Sequence, residues 1–357
     1  MDADVAVVGG GQAGLAMAYC LRGTGLRVTV LEAADRLGAA WHRRWDSLRL
    51  FTPARYDGLP GLPFPGPAER HPGKDEVADY LAGYARRFDL PVRLGVRVER
   101  VAVSPTGVGF EIHTTQGPWR VGQVVCATGP FQQPLTPPFA TGLATDVVQT
   151  HSHDYRNPGR LPADGVTAVV GAGNAGAQIA AELAAAGRRV VVSGRALPYA
   201  PQRLWGRDLF WWLHRLRLLH APADSWRGRS LRRRGEPVIG TDLGRLARQG
   251  LLDRAPRAAT AQGRRLVFDD GRQIEVSAVV WATGYRNAYP WLRLPALDGD
   301  GQPVHSRGVS SVPGLYFVGL PWQSQRASAL LDGVGRDAAR LAPAIVARAR
   351  LVERADR

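Results

Sequence analysis

Two stretches of the chain are alike: Val5-Ala-Val-Val-Gly-Gly-Gly-Gln-Ala-Gly14 and Thr167-Ala-Val-Val-Gly-Ala-Gly-Asn-Ala-Gly176. In each, a short apolar run leads into a Gly-x-Gly-x-x-Gly turn, an alanine-rich segment follows, and a second apolar run ends the unit. A continuous apolar run is typical of a parallel strand buried on both faces. The order strand, glycine turn, helix, strand is that of a dinucleotide-binding unit.

A second pair of segments is also repeated. Gln123-Val-Val-Cys-Ala-Thr-Gly129 and Ala278-Val-Val-Trp-Ala-Thr-Gly284 are apolar runs that end in Ala-Thr-Gly, and each follows its own glycine turn at a similar distance. The repeated unit is therefore larger than one strand–helix–strand element. We predict an α/β protein with two Rossmann-like dinucleotide-binding domains, because a chain of 357 residues usually splits into more than one core.

The end of the chain is expected to return to the first domain, through a strand at Leu315–Gly319 and a long helix from Ala327. This return predicts a first domain of residues 1–155 and 288–357. The second domain, residues 156–287, is then inserted in the first and carries a helical insert of its own at about 200–250.

The first glycine turn is followed by an acidic residue, Glu32, at the end of the next strand. Gly9 permits the tight turn, Gly11 lets the backbone approach a pyrophosphate, and Gly14 lets the helix pack closely on the strand. The pyrophosphate would lie at the helix N-terminus, where unpaired N–H groups and the helix dipole favour anions. An acidic ribose partner argues against a 2′-phosphate, so the site suits FAD or NAD.

The second turn has no carboxylate at the equivalent position, which falls at Ser193-Gly-Arg195. An arginine there can meet a 2′-phosphate. NADPH is therefore favoured over NADH, although a solvated surface arginine is the alternative reading of Arg195. Two such sites on one chain predict hydride transfer from NADPH to a flavin.

Composition limits the other functions. The net charge is +15, but nearly all of the excess is arginine and Lys74 is the only lysine. We read this charge mainly as a compositional background with phosphate-bearing cofactors, and expect no nucleic-acid partner. The two cysteines form no CxxC motif, and no His/Cys spacing predicts a metal site. A reduced, cytoplasmic protein without a secretory signal or a membrane span is expected.

The order of the motifs resembles the class B flavin-dependent monooxygenases, which include the flavin-containing, YUCCA-type and Baeyer–Villiger enzymes. Leu37-Gly38, Trp45-Asp-Ser-Leu-Arg-Leu50 and Trp281-Ala-Thr-Gly-Tyr285 add to the likeness. The family's linker motif is half present: His151 and Tyr155 match, but Thr145 and Val147 replace its Phe and Gly. This difference weakens the Baeyer–Villiger reading more than the monooxygenase reading.

The resemblance implies which residues hold the cofactors. For FAD they are Gly9, Gly11, Gln12, Ala13, Gly14, Glu32, Arg36, Trp41, Thr52, Val98, Ala127, Thr128, Gly129, Gly319 and Leu331. For NADPH they are Gly171, Gly173, Asn174, Ala175, Gly176, Ser193, Arg195, Ala282, Thr283 and Gly284. In such enzymes the reduced flavin forms a C4a-hydroperoxide with O₂ and oxygenates a small organic substrate at nitrogen, sulfur or a ketone carbon.

The cofactor supplies this chemistry, so no catalytic triad is expected. Arg49, Phe51 and Gln323 are the candidate catalytic or substrate-wall residues, with packing as the alternative for each. The rival function is an NAD(P)H-dependent flavin reductase or oxidase that inserts no oxygen. A non-catalytic nucleotide-binding module is the third hypothesis, and the oligomeric state stays open.

The segment Leu204–Leu219 is rich in tryptophan and arginine. We favour a helical insert that packs on the NADPH domain and covers the substrate entrance. Contact with a membrane surface and contact with a second subunit are the alternatives.

Overall fold

The computed structural model describes residues 1–105 and 107–355, so residues 356 and 357 of the predicted first domain lie outside it. Its strands are β1 (Ala3–Val8), β2 (Val28–Leu31), β3 (Val92–Arg93), β4 (Val98–Val103), β5 (Phe110–Thr114), β6 (Gly117–Cys126), β7 (Gln133–Pro134), β8 (Val148–His151), β9 (Val166–Val170), β10 (Arg189–Ser193), β11 (Tyr199–Ala200), β12 (Arg203–Leu204), β13 (Arg207–Asp208), β14 (Val238–Ile239), β15 (Asp253–Ala255), β16 (Ala258–Gln262), β17 (Arg265–Phe268), β18 (Gln273–Glu275), β19 (Ala278–Trp281), β20 (Tyr285–Arg286), β21 (His305–Ser306), β22 (Val309–Ser310) and β23 (Leu315–Phe317).

The α-helices of the described chain are α1 (Gln12–Leu21), α2 (Ala39–His42), α3 (Lys74–Arg87), α4 (Asn174–Ala185), α5 (Leu209–Arg215), α6 (Trp226–Arg234), α7 (Leu243–Arg248) and α8 (Leu331–Ala355). Short 3₁₀ helices lie at Ala54–Tyr56, Pro138–Gly142 and Pro158–Arg160. None of the helices in the described residues is long and apolar enough to cross a membrane.

The first sheet is built around β1. Its central order is β23-β6-β1-β2-β3, all parallel, with β21 and β22 beyond β23 and the antiparallel β4 and β5 attached through β6. Val5 and Val7 in β1 are fully buried, as expected for a strand covered on both faces. Helices α1 and α8 pack together over one face of this sheet.

The second sheet has the order β15-β10-β9-β19-β8, and every pairing is parallel. Helix α4 follows β9, as α1 follows β1, and buries Ile179 and Leu183 in the core. The predicted α/β class with two Rossmann-like domains is therefore confirmed.

The placement of β8 bears on the domain boundaries. β8 pairs with β19 in the second sheet, although it precedes residue 155. We therefore propose that the chain enters the second domain before Val148. On the return, Trp291 accepts a hydrogen bond from Val101 of β4 through its carbonyl, which supports assigning the residues after 288 to the first domain.

The insert lies between β10 and β15 and contains α5, α6 and α7. It contacts both domains and not the second alone. Phe210 of α5 is buried and its ring stacks on Phe51 of the first domain, with ring centres 5.6 Å apart. On the other side, the Asn174 side chain holds the insert through the Pro237 carbonyl and the Ile239 amide. Trp205 and Trp226 are exposed.

Candidate cofactor sites

The first glycine turn joins β1 to α1 and has the geometry that its three glycines predict. Gly9 has a φ of +108°, which favours glycine, and a Cβ there would lie 2.8 Å from the Ala127 carbonyl oxygen. A Cβ on Gly14 would lie 1.8 Å from the Gly9 carbonyl oxygen, so only glycine lets α1 approach β1. At Gly11, in contrast, a Cβ would meet nothing within 4 Å.

The second turn, between β9 and α4, repeats this arrangement. Gly171 has a φ of +114°, and a Cβ on Gly176 would lie 1.9 Å from its carbonyl oxygen. A Cβ on Gly173 would meet nothing within 4 Å. Both turns therefore leave open space next to a helix N-terminus, whose first N–H groups have no partner within the helix. This is a cradle for a pyrophosphate, and the residues present fit a dinucleotide at each turn.

Glu32 lies at the end of β2, beside the first turn. Its two carboxylate oxygens accept hydrogen bonds from the backbone N–H groups of Gly10, at 2.6 Å, and Ala34, at 2.8 Å. These bonds fix the carboxylate next to the turn. Each carboxylate oxygen can accept more than one hydrogen bond, so ribose hydroxyls remain compatible with this position.

The start of α8 meets the start of α1. Gln12 donates from its side-chain nitrogen to the Ala329 carbonyl at 2.9 Å. Gly319 has a φ of +85°, and a Cβ there would lie 2.7 Å from the Cβ of Ala13. Leu331 is buried at the first position of α8. The structure thus brings together the predicted FAD residues from both ends of the chain.

The remaining predicted FAD residues surround the ends of the central strands. Ala127 is buried and its amide donates to the Val8 carbonyl, while Gly129 has open space where a Cβ would lie. Thr128 accepts a hydrogen bond from Gln132. Val98 begins β4, and the half-buried Trp41 packs against the core beside α1. Arg36 is exposed.

Two predicted NADPH residues use their side chains within the protein. The Ser193 hydroxyl is fully buried and donates to the Pro256 carbonyl at 2.7 Å. Asn174 binds the insert, as described above. Any contact of these two residues with a cofactor would involve their backbone. Ala175 is half-buried in the first turn of α4, and Arg195 is exposed just beyond β10, where a 2′-phosphate could reach it.

A cleft of about 410 Å³ lies between the residues that follow the first Ala-Thr-Gly segment and the end of the second. Pro130 and Phe131 line it from the first domain, and Gly284 and Tyr285 from the second. The Thr283 hydroxyl donates to the Leu135 carbonyl across the cleft. Ala282 packs at the base of the second turn, where a Cβ on Gly171 would lie 2.2 Å from its carbonyl oxygen.

Tyr285 is the centre of a polar cluster between the domains. Arg44 donates to its hydroxyl at 2.6 Å, and the ring edge of His151 lies against its ring, with centres 5.2 Å apart. Burial lowers the pKa of His151. His151 therefore packs on Tyr285 at the end of β8, while Arg44 of the first domain reaches the same tyrosine. A role of this histidine in linking the domains stays a prediction.

The three predicted catalytic residues differ in their contacts, and their roles stay predictions. Arg49 is exposed and donates to the His71 carbonyl at 3.3 Å. Gln323 is buried, and its side-chain oxygen accepts from the Leu320 amide. Phe51 lies at the boundary between the insert and the first domain, where it stacks on Phe210.

An acid that sequence reasoning missed lies beside Phe51. The Thr52 hydroxyl donates to one oxygen of Asp57 at 2.5 Å, and the other oxygen is buried without a hydrogen-bond partner among the described residues. Burial raises the pKa of Asp57 to about 7, although the Thr52 hydrogen bond opposes this. Asp57 is in a loop rich in proline and glycine, where no repeated pattern of residues indicates that an acid will be buried.

A cluster of metal-ligating side chains was also missed. His214, His220 and Asp332 lie within 4.8 Å of one another through their nitrogen and carboxylate oxygen atoms. The spacing of histidines and cysteines along the chain did not predict this cluster, because Asp332 is more than 100 residues away from the two histidines. Two of these residues belong to the insert and the third to α8.

Comparison with known proteins agrees with this geometry. Residues 6–203 match the model of the pyridine nucleotide-disulphide oxidoreductase family. A CzcO-like oxidoreductase of Geobacillus kaustophilus, described as uncharacterised, is 42% identical over 94% of this chain and 96% of its own length. Indole-3-pyruvate monooxygenase YUCCA1 of Oryza sativa subsp. japonica is 30% identical over 88% of this chain and 86% of its own. The structure of a flavin-containing monooxygenase from Stenotrophomonas maltophilia superposes with a TM-score of 0.81, at 30% identity, covering 97% of this chain and 99% of that one.

Proposed function

The chain belongs to the pyridine nucleotide-disulphide oxidoreductase family and, within it, to the class B flavin-dependent monooxygenases, and from this premise we propose that it is an NADPH-dependent monooxygenase. It uses NADPH to reduce bound FAD and then transfers one oxygen atom of O₂ to a small organic substrate. The other oxygen atom leaves as water, and the two electrons come from NADPH.

The observation that carries this proposal is the pair of glycine turns. Each has a first glycine with positive φ, an open second glycine and a tightly packed third, as a pyrophosphate on a helix N-terminus requires. Glu32 beside the first turn favours FAD, because a carboxylate would repel a 2′-phosphate. Arg195 beside the second favours NADPH for the opposite reason.

When bound, FAD supplies the redox chemistry, and the protein positions it and excludes water. The N-terminus of α1 would hold the pyrophosphate, and the start of α8 at Leu331 would lie near the reactive ring. Asp57 lies in this region of the first domain, and burial raises its pKa to about 7, so a large fraction of the carboxyl is protonated near neutral pH. It can therefore donate a hydrogen bond without adding a full negative charge.

The substrate is proposed to enter under the insert. Phe51 and Tyr56 of the first domain, with Phe210 and Leu213 of α5, form an apolar cluster with Leu330 at the start of α8. An apolar wall with few polar groups is typical of small-molecule pockets. This suits a small organic amine, thioether or ketone, and it supports Phe51 as a residue of the substrate wall.

The proposal is tested by stopped-flow absorbance. FAD-loaded protein is reduced with NADPH and mixed with oxygenated buffer. We expect a transient that is neither oxidised nor reduced flavin and that lasts for seconds when NADP is bound. Protein reduced with dithionite in the absence of NADP is the control, and its transient should be shorter. Direct return to oxidised flavin with stoichiometric H₂O₂, both with and without candidate substrates, would contradict oxygenation.

Direct return to oxidised flavin with stoichiometric H₂O₂ would favour the flavin reductase or oxidase alternative. A disulphide reductase is disfavoured by the cysteines. Cys20 and Cys126 are both free, and Cys126 is buried. Burial also raises the pKa of Cys20 to about 11, and a thiol that is not ionised is a poor nucleophile.

A further inference from the structure

Two histidines of the insert and one acid more than 100 residues further along the chain converge where the insert meets the first domain. His214 is in the last turn of α5, His220 follows in the next loop, and Asp332 is in the first turn of α8. The Asp332 oxygen Oδ2 lies 3.1 Å from His214 Nε2 and 3.2 Å from His220 Nε2. The two Nε2 atoms are 3.4 Å apart.

These three distances form a nearly equilateral triangle. For a tetrahedral ion with ligand bonds of about 2.0–2.1 Å, neighbouring ligand atoms lie about 3.3 Å apart. The triangle therefore has the dimensions of one face of a zinc-type coordination sphere. Imidazole nitrogen and carboxylate oxygen are also common ligands of such ions.

The hydrogen bonds around His220 select the imidazole tautomer that can bind a metal through Nε2. The Gln325 side-chain nitrogen donates to the Gly333 carbonyl at 3.2 Å, so its oxygen is the atom that faces His220 Nδ1 at 3.2 Å. Nδ1 must then carry the proton and donate to it. In a neutral ring Nε2 is left with its lone pair pointing at the Asp332 oxygen, which is also an acceptor.

Two facing acceptors repel each other unless a proton or a cation lies between them. A ring nitrogen that donates outward while the other points inward is the usual arrangement of a metal-binding histidine. His214 is held in place as well, because its ring stacks on Tyr56 with centres 4.4 Å apart.

The cluster is neither sealed nor fully exposed. The side chain of Asp332 is 19% exposed, and those of His214 and His220 are 29% and 14% exposed. An ion could thus enter, and a fourth position would remain for water or a substrate atom. Because two ligands lie in the insert and the third in α8, an ion there would also fasten the insert over the proposed substrate entrance.

We propose that His214, His220 and Asp332 bind one divalent transition-metal ion of the zinc type, in a tetrahedral site whose fourth ligand is water or substrate. Gln325 orients His220 from outside the site. The inference is independent of the oxygenation chemistry, because it concerns a cluster that none of the cofactor assignments uses.

The test measures metal binding by tag-free, FAD-loaded protein that has first been treated with a chelator. Zn²⁺ and Co²⁺ are titrated by calorimetry, and Co²⁺ is also followed by its visible absorption. We expect one ion per chain and the intense absorption of tetrahedral Co²⁺. Loss of a supporting hydrogen bond typically weakens metal affinity about 10–100-fold, so Gln325→Met should fall in that range and His220→Gln should bind more weakly still.

The matched control is His113→Gln, since His113 is an exposed histidine 3.7 Å from a carboxylate, that of Glu111, outside the cluster. It should bind as the parent protein does. FAD content in each variant reports folding and is expected to stay unchanged. Binding that is equal in His220→Gln and the parent, or no ion bound by the parent, would overturn the proposal and leave a hydrogen-bonded cluster without metal. A failed oxygenation experiment would not affect either result.

Discussion

At the scale of single residues, Asp57 is a buried carboxyl whose ionised form is disfavoured by burial. Its side chain is 1% exposed, and its ordinary pKa of 3.8 is raised to about 7 by burial. A carboxyl with a raised pKa in the folded state is protonated in the native protein but ionised in the unfolded chain between these two values. The native state then binds more protons, so stability must fall as pH rises through this window.

We therefore predict that Asp57→Asn removes much of this pH dependence. The contribution of Asp57 to the free energy of unfolding of the FAD-loaded protein should fall by on the order of 3 kcal/mol between pH 4 and pH 8, at about 1.4 kcal/mol per pKa unit. The variant should show a smaller slope and be the more stable protein at pH 8. Urea unfolding at a series of pH values measures this. Asp164→Asn, at an exposed position, should leave the slope unchanged, and equal slopes for all three proteins would contradict the assignment.

The same scale shows what a sequence motif can and cannot predict about a site. The glycines of both turns were assigned correctly to backbone geometry, because that geometry depends on the missing side chain alone. The contacts of Ser193 and Asn174 were not predictable, since each side chain binds a carbonyl 63 residues away in sequence. Their roles toward the cofactors remain predictions.

At the scale of elements, α5 links the insert to the first domain through Phe210. Phe→Ala in a packed position typically costs about 3–5 kcal/mol. Because Phe210 packs on Phe51 at this boundary, we predict that Phe210→Ala loosens the insert locally. Hydrogen exchange in residues 204–240 should become at least tenfold faster, while β1 and β9 stay protected and FAD is retained.

Trp205→Ala is the matched control, because this tryptophan is 79% exposed and its loss should change stability by less than about 0.5 kcal/mol. If Trp205→Ala accelerated exchange as strongly as Phe210→Ala, the exposed tryptophan face would be the important contact, and the proposed role of Phe210 in holding the insert would be wrong.

Elements with their own periodic pattern were predictable, and those fixed by pairing were not. β1, β9, α1 and α4 follow from apolar runs and glycine turns. The polar strand β8 has no such signal. It lies beside β19 because the chain passes from the first domain to the second sheet at this point. The cluster of His214, His220 and Asp332 was out of reach for the same reason, since it exists only after the insert folds back onto α8.

At the scale of the whole molecule, two similar substitutions test which glycine turn binds FAD and which binds NADPH. Gly11 and Gly173 have φ values of −76° and −74°, which any residue can adopt. A Cβ at either position meets nothing within 4 Å. Valine at these positions should therefore cost the fold only about 1 kcal/mol, the usual effect of a weaker helix cap, while its side chain fills the space left for a pyrophosphate.

We predict opposite phenotypes for the two variants. Gly11→Val should be purified without FAD and colourless, with native circular dichroism. Gly173→Val should stay yellow, and dithionite should still reduce its flavin, but NADPH should do so at least a hundredfold more slowly. Each variant serves as the control for the other, because the backbone geometry is shared and only the cofactor differs. If Gly173→Val lost its FAD, or if Gly11→Val kept it, the assignment of FAD to the first turn and NADPH to the second would be wrong. Hydride transfer from NADPH to FAD would then require a different arrangement of the two cofactors in the two domains.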